Sequence, residues 1–358
     1  MKILFAGGGT LGSVMPLFGI KDECEKEGLH ARYFWVGTKH GPEKALVVSA
    51  GIPFYELPTI KLRRYWSMKN VGDVFKMISA LVRSLFIIRT LKPDVIISAG
   101  GFVAVPLIWI STLFRVKVMI HQQDIVPSLT NRLVQSCAHS ITVAFEESLK
   151  DFPRDKTIWI GNPVRSEIEK GSPGASYGVF GFTPGIPTVL VLGGGMGSFF
   201  LNALIVSAKS ELTAFCQIIH VHGGKNPAEP SERYRPVEFL RERLKEAYAV
   251  SDIVISRAGL STLTELAYLA KPTILIPLAD THQERNAKYF AEHGAAVVCM
   301  QEDVTPAVLV SETRELLASS EKRMNLSASI HTLMKPNANA EFVKTLVALM
   351  SGFDFKTF

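Results

Sequence analysis

The chain has 358 residues, 47% of them hydrophobic and 20% charged. That length exceeds one ordinary core and that composition excludes a disordered or fibrous chain, so two globular domains are expected. The formal charge of +6 is mild for a nucleic-acid binder, which needs a basic stripe with interleaved aromatics; it suits anionic substrates or an anionic membrane surface.

Cys24, Cys137, Cys216 and Cys299 lie far apart with no C-x-x-C pair, which predicts inert thiols in a reducing compartment. The N-terminus runs straight into an apolar strand, so no signal peptide is expected. No apolar run reaches the ~18 residues of a spanning helix, which predicts a soluble or at most peripheral protein.

In chain order, the first apolar run, Lys2–Ala6, leads into FAGGGTLGSVMP at 5–16. Gly7, Gly9 and Gly12 match G-x-G-x-x-G, the dinucleotide fingerprint. A nicotinamide site also needs an acid at the end of the second strand. That strand, Ala31–Val36, ends Phe34-Trp35-Val36-Gly37 without one, so a dehydrogenase is set aside. A loop of this kind can still cradle a diphosphate, through close backbone approach and the free N–H groups of a helix start; tight strand-to-helix packing is the plain alternative.

Residues 60–92 mix Phe75, Ile78, Leu81, Val82, Leu85 and Phe86 with Arg63, Arg64, Lys69, Lys76, Arg83 and Arg89. Part of this helix must be core. Its basic flanks and Tyr65-Trp66, extended by Trp109, Phe114, Arg115 and Lys117, suit an interfacial patch on anionic lipid. Strands follow at Asp94–Ser98 and Val116–His121. GNPVRSEIEKGSPGASYGVFGFTPG, from residue 161, reads as boundary and linker.

A second set of strands covers Thr188–Leu192, Gln217–Val221, Asp252–Ser256, Pro272–Ile276 and Ala296–Cys299. TVLVLGGGMGSFF at 188–200 repeats the opening plan of strand, glycines and helix. Continuous apolar runs alternating with helices indicate parallel sheets covered on both faces. The expected class is therefore α/β, with two doubly wound domains and ligands at the C-terminal strand ends, facing a cleft.

The stretch 251–296 is the richest in chemistry. After the strand comes Arg257-Ala258-Gly259, then Leu260, Ser261 and Thr262 opening a helix, a ready phosphate site. Glu265, one turn on, can accept both ribose hydroxyls of a nucleotide or merely favour the helix dipole. In the next loop Gln283 and Asn286 can both donate and accept, which matches sugar hydroxyls and an N-acetyl group. His282 alone reads as readily as a cap or surface residue.

In this order SAGGFVAVP, HQQDIVPSLTNR, GNPVR, GGGMG, SRAG-x-ST-x-x-EL and HQ-x-x-N resemble the MurG family across nearly the whole chain. Those transferases move N-acetylglucosamine from UDP to undecaprenyl-diphosphate-linked muramyl-pentapeptide, giving lipid II. The resemblance implies a GT-B fold with an acceptor and membrane-docking domain at 1–162, a UDP-sugar donor domain at 163–340 and a C-terminal helix at 341–358 packing back on the first domain. It implies inverting transfer with no cofactor and no metal, and a peripheral place on the cytoplasmic face of the plasma membrane. The sequence has no D-x-D triplet and no His/Cys cluster with ligand spacing.

By the same resemblance, Arg165, Gly195, Leu240, Gly259, Leu260, Ser261, Thr262, Glu265, His282, Gln283 and Asn286 bind the donor. Gly9, Thr10, Leu11, Gly12 and Gln123 face the acceptor diphosphate, and the uracil rests near Phe239 and Leu240. The implied partners are UDP-N-acetylglucosamine, a polyprenyl-diphosphate lipid and an anionic membrane, with no nucleic acid.

The chain departs from the family at three places. The usual GGTGGH has Leu11 for a glycine and Ser13 for the histidine; HEQN becomes His121-Gln122-Gln123-Asp124; GGSQG carries Gly195 and Met196. A serine hydroxyl is far too weak a base at neutral pH, which leaves Ser13 to hydrogen-bond or cap. Asp124 is expected to take the proton, its pKa raised beside an anionic diphosphate; the alternative is that it only caps the turn before Pro127. These changes leave room for another lipid acceptor, a UDP-sugar 2-epimerase or a weakly catalytic UDP-sugar binder.

Overall fold

A computed structural model describes residues 1–58, 69–194, 197–225, 228–240, 243–335 and 337–352. The chain forms two compact units, one of Met1–Arg165 joined by the chain from Lys335 onward, the other of Ser166–Met334.

The first unit holds seven parallel strands: β1 (Lys2–Ala6), β2 (Arg32–Thr38), β3 (Phe54–Leu57), β4 (Val95–Ser98), β5 (Lys117–Gln122), β6 (Ser140–Val143) and β7 (Thr157–Trp159). Their order is β3-β2-β1-β4-β5-β6-β7. Between them run α1 (Met15–Lys26), α2 (Glu43–Ser49), α3 (Lys69–Leu91), α4 (Ala104–Ser111) and α5 (Leu129–Val134). Successive strand residues point to opposite faces. Leu4, Ala6, Ile96 and Ile120 join one buried cluster with α3 and α4, whereas Ile3, Phe5, Trp35 and Met119 join another with α1. Both faces are dry, which is why the strands read as unbroken apolar runs.

The second unit has α6 (Pro173–Phe180), β8 (Thr188–Leu192), α7 (Phe199–Thr213), β9 (Gln217–Val221), β10 (Tyr234–Val237), α8 (Leu244–Val250), β11 (Ile253–Ser256), α9 (Leu260–Tyr268), β12 (Thr273–Leu275), α10 (His282–Glu292), β13 (Val297–Val298), α11 (Pro306–Ala318) and α12 (Ser320–Leu333). Its strands are parallel in the order β10-β9-β8-β11-β12-β13. In both sheets the strand order reverses beside the strand that carries the glycine loop, at β1/β4 and at β8/β11. Doubly wound sheets bind ligands at such switch points.

The division departs from the expected one at two places. Pro163–Arg165 and residues 335–340 belong to the first unit rather than the second. The Val164 N–H donates to Asn339 Oδ1 at 2.8 Å, and Asn339 Nδ2 donates to the carbonyls of Val164 (2.7 Å) and Gly19 (3.3 Å). The last helix, α13 (Ala338–Ser351), packs on α1 and buries Phe342, Val343, Leu346 and Leu349 in the first unit's core.

The expected linker is also ordered structure. Gly161 has φ +85° and abuts the Lys335 carbonyl, which a Cβ would meet at 2.4 Å. Farther on, Pro173 opens α6, which packs on α8, and Gly181 closes it in the left-handed region. Gly, Pro and Ser here are helix punctuation rather than flexible tether.

Candidate functional site

In the first unit, three loops meet at the C-terminal strand ends. The β1 loop is anchored by Trp35, whose indole N–H donates to the Gly7 carbonyl at 2.9 Å. A short 3-10 turn, Leu11–Ser13, precedes α1. Gly9 and Thr10 are exposed, and Leu11 and Gly12 half-buried. Ser13 is only 8% exposed, and its hydroxyl turns back toward the Thr10 carbonyl at 3.4 Å. The β4 loop carries Gly100 and Gly101 at φ +104° and +89°. A Cβ on Gly101 would lie 2.9 Å from the Gly8 carbonyl and 3.3 Å from Ser13 Oγ, so only glycine lets these two turns touch. From the β5 loop, Gln123 Nε2 donates to the Ala99 carbonyl at 2.9 Å. Asp124, next in the chain, is half-buried, and its carbonyl accepts from Gln122 Nε2 at 2.7 Å. Gly9, Thr10, Leu11, Gly12, Ser13 and Gln123 therefore gather at one edge of this unit.

The sequence reading missed the group that holds the first loop. Glu43, fully buried at the start of α2, accepts from the Gly9 N–H (3.2 Å), the Thr38 N–H (2.7 Å) and the Thr38 hydroxyl (2.6 Å). Gly8, Gly37 and Gly41 ring it; a Cβ on each would come within 2.2, 3.1 and 1.9 Å of a carboxylate oxygen. The Gly9 N–H, expected to face a diphosphate, is thus already spent on Glu43.

Much of HQQDIVPSLTNR and GNPVR is scaffold. His121 is fully buried, its ring nitrogens meeting Thr142 Oγ1 (2.9 Å) and Asn162 Oδ1 (2.8 Å), and burial pushes its pKa down to about 4 against the opposing bond from Asn162. Gln122 Oε1 accepts from the Ser128 N–H (3.2 Å) and Asn131 Nδ2 (2.8 Å). Asn131 also donates to the His121 carbonyl at 3.0 Å. The two motifs meet at His121–Asn162 and fix the loop that presents Gln123 and Asp124. Arg165 closes this unit, half-buried.

In the second unit the site is built at the β11–α9 turn. The N-cap of α9 is Gly259, extended at φ −74° and ψ 131°, and no side chain caps the helix. The Leu263 N–H takes the Gly259 carbonyl at 3.0 Å, so the N–H groups of Leu260, Ser261 and Thr262 have no partner within the helix. Ser261 and Thr262 are half-buried, while Leu260 and Leu240 are buried. Glu265 is buried, and Tyr248 from α8 donates its hydroxyl to Glu265 Oε2 at 2.8 Å.

The HQ-x-x-N segment begins α10 against this turn. Thr281 caps the helix through the Gln283 N–H at 3.2 Å, and Gln283 Oε1 accepts from the Leu278 N–H at 3.1 Å. Gln283 Nε2 stands 4.0 Å from where a Cβ on Gly259 would be. Asn286 is 1% exposed and donates to the Ala258 carbonyl at 3.1 Å, so it ties α10 to the turn. His282 is exposed. Beside the turn, Gly197 presses on the end of β9, where a Cβ would meet the His222 carbonyl at 2.4 Å. Gly195 and Met196 lie outside the described residues.

On α3, Ala80, Ser84 and Ile88 face the core, while Phe75, Ile78, Val82 and Phe86 are exposed at helical spacing. Trp109 on α4, with Leu113 and Phe114 after it, is exposed on the neighbouring segment, and α3 packs on α4. Part of the helix is thus core, as expected, and Phe75, Ile78, Val82 and Phe86 leave an apolar stripe beside Lys76, Arg83 and Arg89. Arg63, Arg64, Tyr65 and Trp66 lie outside the described residues, as does the side chain of Lys69. Among the described residues no helix is long and apolar enough to cross a membrane, and no cluster of three or more His, Cys, Asp or Glu is placed to hold a metal ion.

The glycosyltransferase family 28 N-terminal domain matches residues 3–143 and the family 28 C-terminal domain residues 188–345. A Bacillus cereus protein named UDP-N-acetylglucosamine–N-acetylmuramyl-(pentapeptide) pyrophosphoryl-undecaprenol N-acetylglucosamine transferase 2 is 36% identical over 357 residues, covering 98% of this chain and 99% of that one. The transferase of Clostridium tetani is 36% identical over 328 residues, 90% and 91% of the two chains. The crystal structure of Acinetobacter baumannii MurG superposes with a TM-score of 0.73 at 24% identity over 98% and 99% of the chains, which shows the common fold. With two parallel-sheet units and this full-length likeness, the chain belongs to the MurG family of GT-B glycosyltransferases.

Proposed function

We propose that this protein transfers N-acetylglucosamine from UDP-N-acetylglucosamine to the C4 hydroxyl of undecaprenyl-diphosphate-linked N-acetylmuramyl-pentapeptide. The observation that carries this reading is the match to a transferase of that name over 98% of this chain. The uncapped turn at Gly259, beside Glu265 and Gln283, supports it.

In this reading the acceptor oxygen attacks C1 of the sugar with inversion. The C1–O bond breaks, and its electron pair leaves on the UDP β-phosphate. The N–H groups of Leu260, Ser261 and Thr262 and the hydroxyls of Ser261 and Thr262 stabilise that charge without a metal ion. Glu265, oriented by Tyr248, accepts the ribose hydroxyls. Gln283 contacts the sugar, Leu240 lies against the uracil and Arg165 reaches toward the nucleotide. The acceptor diphosphate lies along Thr10–Gly12, and the acceptor proton goes to Asp124. The enzyme docks peripherally on the anionic cytoplasmic face of the plasma membrane through the Phe75–Phe86 stripe and its cations.

The test is incubation with UDP-N-acetylglucosamine and a short-chain lipid-linked acceptor, followed by mass spectrometry, with and without EDTA. Expected is acceptor-dependent UDP release and an acceptor heavier by one N-acetylhexosamine, unchanged by EDTA. Release of free epimerised sugar, or UDP release indifferent to acceptor, refutes the reading. Asp124→Asn is expected to cut turnover at least about 100-fold, with Ser13→Ala near the unsubstituted rate; full turnover in Asp124→Asn removes the base assignment.

A further inference from the structure

Arg257 follows β11 and is 5% exposed. Its Nη1 donates to the carbonyls of Ile276 and Pro277, both at 2.9 Å, just beyond β12. Nε and Nη2 reach Ser198 Oγ at 3.2 and 2.7 Å. Ser198 in turn caps α7 by accepting from the Leu201 N–H at 3.2 Å. The guanidinium lies over the Phe200 ring, 5.6 Å from its centroid. All these partners are neutral, and among the described residues no carboxylate pairs with the group.

A buried cation without a counter-charge is costly, and an apolar side chain of similar volume would avoid that cost. Four hydrogen bonds from one planar fork also do more than fill space, since they fix three strand-end segments relative to one another. Ser198 ends the glycine loop after β8, and Gly259, two residues past Arg257, begins the uncapped turn of α9. The geometry points to Arg257 as the positioning residue of the donor diphosphate site: its fork locks the two turns together, and its unpaired charge draws the diphosphate to that edge. This rests on the donor reading above and adds the residue that sets its charge.

The experiment titrates UDP and uridine against the full-length protein, Arg257→Met and Arg257→Lys, with thermal melts to confirm folding. The deciding quantity is the ratio of UDP to uridine affinity, because only UDP carries the diphosphate. Arg257→Met is expected to lower UDP affinity at least about tenfold while uridine affinity holds, and Arg257→Lys, which keeps the charge but loses the fork, to fall between. If the methionine variant does not fold, the lysine variant decides by the same ratio. Equal loss of both ligands means a purely structural role and overturns the inference, as does no loss of either. An unsubstituted protein that binds no UDP overturns the donor reading itself, a different outcome.

Discussion

The two units share a plan of strand, glycine turn and helix, yet the ionic group behind each turn has the opposite sign. Behind the first lies Glu43, which collects the N–H groups of Gly9 and Thr38. Behind the second lies Arg257, which donates to a hydroxyl and two carbonyls and leaves the α9 N–H groups uncommitted. A glycine turn is therefore not an anion site by virtue of its backbone alone. In the first unit the carboxylate has consumed a donor and its charge opposes a second anion at close range. In the second, donors and positive charge are both left over. The second unit therefore offers the better setting for an anion, and in the proposed function the acceptor diphosphate at the first depends on the shape of its turn and on the flanking loops.

Removing the first unit's carboxylate is the harshest way to break this comparison. Glu43→Ala leaves three donors without an acceptor in a closed site and opens a cavity, an expected loss of about 3–5 kcal/mol. Urea unfolding of the first unit reads it, with the second unit's own transition, which carries Leu260–Thr262 and Glu265, unchanged. An unchanged unfolding midpoint would mean that Glu43 does not support the turn.

The next effect concerns a feature the units share. His220, like His121, is fully buried, bonded to an asparagine (Asn202 Oδ1, 3.0 Å) and to a hydroxyl (Tyr234, 2.7 Å), and burial, with His222 adding to it, lowers its pKa to about 4. Both imidazoles have folded pKa values below the unfolded one near 6.5. The unfolded chain therefore binds more protons between those values. Their stabilisation is fully present above about pH 6.5 and is lost as pH falls toward 4, at about 3 kcal/mol each. Unfolding at pH 7 and pH 4.5 should show the loss in both units, and His121→Gln should reduce it in the first alone, leaving the smaller share of His139, whose pKa burial also lowers. The smallest expected effect sharpens the donor side: Glu265→Gln should raise KM for the nucleotide sugar about tenfold with little change in kcat, as one charged hydrogen bond is weakened. An unchanged KM would detach Glu265 from the ribose.

The buried parallel strands were readable because a strand dry on both faces is a continuous apolar run. β3, β6, β7 and β10 are not legible in this way, since polar or proline positions such as Glu56, Ser140, Thr157 and Pro236 break the apolar run. The glycine turns and the α9 residues were legible from local order. Glu43 and Arg257 were not, because a charge beside glycines looks like surface until the fold closes over it. The pairing of His121 with Asn162 spans 41 residues, and nothing local ties them. Asn286 suits a sugar contact by its chemistry, and only the fold adds that its Nδ2 also holds the Ala258 carbonyl.

The return of α13 to the first unit has a consequence for the order of assembly. Phe342 and Leu346 are fully buried in that unit's core, and Phe342 meets His121 edge-on at 6.2 Å. The second unit, contiguous from Ser166 to Met334, is complete before α13 has been made. On the ribosome, where domains commonly fold in the order of synthesis, the half translated first therefore waits with part of one sheet face, beside α1, uncovered and is sealed last, by a helix translated after its neighbour is whole.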